Sequence, residues 1–186
     1  MKNLKSIFAL TLIAISFSAC SSDDAPTPVN EEEVITTLTA TLSADGVTTV
    51  TLTSRDLDGD GPDAPVITVS EDLAANTMYT GSLDLLNETE SPAESITEEI
   101  EEEDDEHQFF FSSSLVSTSY TDMDGDGNPV GLEFTLTTTD AGTGNITITL
   151  RHEPTKDASG VSDGDIANAG GETDISVTFP ITVVAN

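Results

Sequence analysis

Period-two alternation of apolar and polar residues dominates this chain. Val34, Leu38, Ala40 and Leu42 share one parity and Thr37, Thr39 and Thr41 the other, which predicts a strand with one buried face. Ala44-Asp45-Gly46 turns the chain, and residues 47–54 return as a second strand. Further strands are expected at 65–69, 77–86 and 109–120. In the last, Phe109, Phe110 and Phe111 place bulk on both faces, as in a central or covered strand. Leu132, Phe134 and Leu136 alternate with polar residues, as do Ile146, Ile148 and Leu150. Joined through residues 140–144 as a hairpin, these strands set Leu132 opposite Leu150 and Val130 opposite His152, with His152 on the core-facing parity. Ile175, Val177, Phe179, Ile181 and Val183 hold one face of the final strand.

One stretch, Ser91 to Phe111, breaks the alternation. Ser91-Pro92-Ala93-Glu94 reads as an N-cap, a first-turn proline and a capping-box glutamate, and Ala93, Ile96 and Ile100 recur at helical spacing. The carboxylates thicken toward the C-terminal end, where the helix dipole opposes them, so the last turn should be weak. Extending the stripe brings Glu103 or Asp104 and then His107 to the docked side. About eight strands and one helix predict an all-β fold, a single antiparallel sandwich or barrel with an acidic helix inserted.

Charge narrows the partners. The 186 residues carry a net charge of −30, from 35 acidic and five basic side chains. Such a surface repels nucleic acid and anionic headgroups and attracts cations. Without tryptophan, and with two tyrosines, it has little with which to stack sugars. An enzyme is not expected: Ser112, Ser113 and Ser114 follow His107 without a nucleophile elbow, and neither a phosphate-binding glycine loop nor an HExxH helix occurs.

At the N-terminus, Lys2 and Lys5 precede the apolar run 7–17, too short to span a bilayer, and Ser18-Ala19-Cys20 closes it. This predicts a signal peptide over residues 1–19. Ser18-Ala19-Cys20 resembles the end of a bacterial lipobox, with Phe17 where leucine is usual, and the resemblance implies that Cys20 is lipidated. Ser21-Ser22-Asp23-Asp24 resembles the acidic export signal of Bacteroidota surface lipoproteins. Residues 20–33, with two prolines and three glutamates, read as a tether, and 34–186 as the β-sandwich domain. The whole is similar to small acidic flavobacterial-type surface lipoproteins, some of which are filed as type 1 periplasmic binding folds. That fold needs repeated βαβ units, whereas one helix interrupts the strands here. The resemblance implies an outer-membrane, surface-exposed protein and, by analogy, an accessory of a TonB-dependent transporter.

Cys20 is the only cysteine, so no intrachain disulfide or thiolate cluster can form, and the candidate chemistry falls to oxygen and nitrogen ligands. Asp56, Asp58 and Asp60, and again Asp122, Asp124 and Asp126, stand in D-x-D-G-D-G loops that resemble calcium loops. Glu133 falls at the twelfth position of the second. Aspartate and glycine are equally the ordinary residues of tight turns, so calcium and a plain acidic connection both fit. The two histidines each sit beside a glutamate, in Glu106-His107 and His152-Glu153. With Glu103, His107, His152 and Glu153 form a candidate zinc or copper set if the fold brings them together. The leading functional expectation is a lipoprotein that binds a cation or a small cationic ligand. The alternative is a structural or adhesion module with calcium-stiffened loops.

Overall fold

The computed structural model describes residues 33–59 and 61–185; the expected signal peptide, Cys20, the expected tether up to residue 32, and Asp60 lie outside them. The described residues belong to one compact unit. Its strands are β1 (Thr37–Ser43), β2 (Val50–Arg55), β3 (Val66–Val69), β4 (Leu73–Ala74), β5 (Met78–Asn87), β6 (Glu94–Ser95), β7 (His107–Ser113), β8 (Val116–Tyr120), β9 (Glu133–Thr138), β10 (Gly142–His152) and β11 (Glu172–Val184). One helix, α1 (Ile96–Glu102), interrupts them. A larger sheet runs β3-β2-β1-β5-β9-β8 with β6 added to β5, and a smaller one runs β4-β11-β10-β7. The expected all-β architecture is therefore present. Its strands exceed the expected eight because β4 and β6 are two-residue additions and the strand expected at 109–120 breaks. The break sends β7 to the small sheet and β8 to the large one.

Two local expectations are corrected. The strands expected to pair as a hairpin, β9 and β10, lie in different sheets: β9 pairs with β5 and β8, β10 with β11 and β7. Leu150 therefore stands opposite Phe109 and Ile175, and His152 opposite His107 and Glu172. Alternation says which face is buried, but packing the two apolar faces across the interior satisfies it as well as side-by-side pairing does. The helix also begins later than Ser91. Glu94 and Ser95 pair with Asn87 and Leu86, which keeps the backbone extended, and the Ser95 hydroxyl then caps the helix by accepting from the Glu98 amide. Ile96 and Ile100 are buried as expected while Ala93 is exposed. The helix stops at Glu102, where the Glu103 amide donates to the Glu99 carbonyl.

Between the sheets, Leu38, Ala40, Leu42, Leu52, Leu85, Phe134 and Leu136 of the larger sheet meet Phe109, Ile146, Ile148, Leu150, Phe179 and Ile181 of the smaller. Ile96 and Ile100 close one end of this core, each contributing about 1.5–3 kcal/mol by burial. Phe110, on the opposite face of β7, packs with Val161 and Ala169 of the long connection before β11. Both faces of β7 are thereby covered although it is an edge strand.

Candidate metal centre

On β7, His107 has the parity of Phe109; on β10, His152 has the parity of Leu150. The two histidines therefore continue the innermost core layer past its last apolar pair and face each other across the ladder. Both are buried, at 0% and 3% exposure. Their ring centroids are 4.7 Å apart with planes tilted by 32°.

Carboxylates close on this pair from two further directions. Glu33, four residues before β1, places Oε1 2.9 Å from His107 Nε2 and Oε2 3.8 Å from His152 Nδ1. Asp174 places Oδ1 3.7 Å from the same His152 nitrogen. The β10–β11 register shifts between Leu150 and Arg151: Leu150 faces Ile175 while Arg151 faces Thr173, which makes Asp174 the extra residue of a bulge. Bulges re-aim side chains, and this carboxylate, 1% exposed, turns inward beside the histidine. Ligand atoms from Glu33, His107, His152 and Asp174 all lie within 4.8 Å of one another. A second group, Glu106, His152 and Glu153, meets the same criterion on the outer side, with Glu106 Oε2 3.7 Å from His152 Nε2.

The distances separate two kinds of contact. His107 is hydrogen-bonded at both nitrogens, to the Glu103 carbonyl at 3.1 Å through Nδ1 and to Glu33 through Nε2. Two acceptors require two donors, so the ring is an imidazolium here. Burial works against that charge, but the bond to Glu33, the Glu103 carbonyl and the negative charges of Glu33 and Asp174 outweigh it and raise the pKa above the usual imidazole range. On Glu33, burial pushes the pKa up, yet the bond to His107, its own backbone bond and both imidazoles hold it below the usual carboxylate range. His152 is different. Among the described residues, neither ring nitrogen, nor Glu33 Oε2, has a hydrogen-bond partner, although all three atoms are buried. Separations of 3.7–3.8 Å are too long for hydrogen bonds. They are close to the roughly 3.4 Å between ligand atoms that each stand about 2.0–2.1 Å from a tetrahedral zinc ion. Two imidazoles and two carboxylates suit such an ion, and a divalent charge would balance the carboxylates once His107 loses its extra proton.

Of the residues named from the sequence, His107 and His152 meet, and Glu153 joins the outer group. Glu103 serves through its backbone carbonyl, the kind of outer bond that orients a metal-binding histidine. The described aspartates of the two loops belong to neither group. Asp124 Oδ1 accepts from the Asp126 and Asn128 amides, and its Oδ2 meets the buried Lys156 Nζ at 2.9 Å. Asp122 accepts from the Gly131 and Glu133 amides. Asp126 lies in the same turn, and Glu133 and Asp122 line a cavity of about 150 Å³ with Glu101 and Asp104. In the first loop Asp56 accepts from Gly59 and Asp58 from Asp63. Glu33 and Asp174, which complete the inner group, are the residues that sequence reasoning missed. Comparison with protein-family profiles, curated proteins and solved structures finds no match.

Proposed function

We propose that this protein binds a divalent transition-metal ion, zinc or copper, between its two sheets through Glu33, His107, His152 and Asp174. The observation that carries this reading is His152: a buried imidazole with no hydrogen bond at either nitrogen among the described residues, set at ligand-like distances from carboxylates. An unsatisfied buried polar group costs about 1–3 kcal/mol, and a bound ion removes that cost. No acid–base or nucleophilic arrangement is needed to account for the site, and the reading is capture and not catalysis. With Cys20 lipidated, the domain would stand at the outer-membrane surface, where its negative field concentrates cations. Delivery to a TonB-dependent transporter is the partner that this address suggests.

The test is elemental analysis of protein loaded with zinc or copper and then dialysed. One equivalent retained by the wild type and lost in a His107→Ala, His152→Ala double variant is expected. Dialysed wild type that keeps neither metal would overturn the reading.

A further inference from the structure

His152 is shared between the two groups, one on each side of its ring. Nδ1 faces Glu33 and Asp174, whose side chains are 6% and 1% exposed, whereas Nε2 faces Glu106, 51% exposed. The imidazole thus stands as a partition between solvent and the inner centre. Glu153, next along the chain, is exposed and has a left-handed backbone, φ 48°, uncommon for a residue with a side chain. Its amide donates to the Glu106 carbonyl at 2.7 Å, which ties the two glutamates together just outside the ring.

Resting on the reading above, we infer that Glu106, Glu153 and His152 Nε2 form a loading site, where the ion is first held before it passes to the buried ligands. Two carboxylates at the surface shed water and exchange ions readily, and buried ligands hold an ion longer. A bare imidazole nitrogen aimed at the carboxylates supplies the third ligand. Bound outside, the ion takes the Nε2 lone pair and the ring proton sits on Nδ1. Once the ion moves to Nδ1, the proton sits on Nε2 and is donated to Glu106, giving a carboxylate–histidine–metal arrangement. One proton changes sides of the ring and none is gained or lost by it. The glutamates therefore act first as ligands and then as acceptors.

The experiment uses cobalt(II), whose visible absorption reports four-coordinate binding, mixed in stopped flow with the wild type and with a Glu106→Gln, Glu153→Gln variant. A Glu101→Gln, Glu102→Gln variant, altered at two exposed glutamates of or beside the helix face, controls for lost surface charge. Association should slow by at least about tenfold in the first variant, the lower end of what focused electrostatic capture contributes, and less than about twofold in the control. Equilibrium stoichiometry should remain one inner ion in all three. Equal slowing in the two variants, or none, overturns the loading site while leaving the inner centre intact. Wild type without the cobalt absorption overturns the inner centre itself, and the two failures are thus distinct.

Discussion

His107 and His152 stand directly opposite each other at the end of the β7–β10 ladder, yet among the described residues the first ring is hydrogen-bonded at both nitrogens and the second at neither. On the proposed reading, an ion would bind the second ring at an unbonded nitrogen and replace a proton on the first. Zinc at a hundredfold excess over its dissociation constant should stabilise the fold by about 2.7 kcal/mol. For a domain of this size that corresponds to a rise in Tm of roughly 5–11 °C. Chelation should reverse it, and the His107→Ala, His152→Ala variant should show no rise in differential scanning calorimetry.

The pH dependence should change sign with the metal. His107 has a raised pKa in the fold, so its contribution is complete below its ordinary value of 6.5 and is lost as pH rises through the folded value. Glu33 has a lowered pKa, so its contribution is present above its ordinary value of 4.5 and is lost as pH falls through the folded value. The metal-free contribution of this pair should therefore be greatest between these two values and decline above the upper one. A metal must displace the proton from His107, so its added stabilisation should grow over that same alkaline range. Urea denaturation across pH, with and without zinc, reads both slopes; parallel slopes would count against coordination by His107.

Lys156 makes a separate prediction. Its ammonium is buried, donates to the Asp104 carbonyl at the end of α1 and pairs with Asp124, joining the helix end to the second aspartate loop. For Asp124, burial raises the pKa, but Lys156 and the loop amides lower it below the usual range. Removing one partner of a buried pair strands the other, so Asp124→Ala should cost about 3–5 kcal/mol in chemical denaturation. Lys156→Met in combination with Asp124→Leu should recover much of that loss.

Gly171 offers a way to disturb the centre without touching a ligand. It has φ +65°, and a Cβ there would lie 2.1 Å from the His152 carbonyl oxygen, a backbone atom that cannot step aside alone. Gly171→Ala should displace the end of β10 and weaken zinc binding by about tenfold, equivalent to about 1.4 kcal/mol. Isothermal titration with the variant checks this, and unchanged affinity would show that the β10 terminus does not set the geometry.

Much of the fold was legible because burial imposes a period of two: β1, β5 and β11 lie where alternation puts them. Which strands neighbour one another was not, since Phe134 and Leu150 satisfy the same pattern from opposite sheets. The histidines stood out as the only two in the chain. Glu33 could not, lying in a run of three glutamates that reads as solvated tether, and Asp174 depends on a bulge. A bulge leaves no mark in a sequence beyond one residue out of phase, and Asp174 lies within β11 just before its strictly alternating run from Ile175. Among 35 acidic residues, spacing alone cannot distinguish an inward carboxylate from an outward one.

Glu33 reaches His107 across 74 positions of sequence from the place where the domain begins. A recombinant protein trimmed to start at Val34, a natural choice from the strand pattern, would keep every described strand and discard one of the four proposed ligands. It should fold, look native by circular dichroism and fail to hold its ion, so screening for metal on such a truncation would return a false negative.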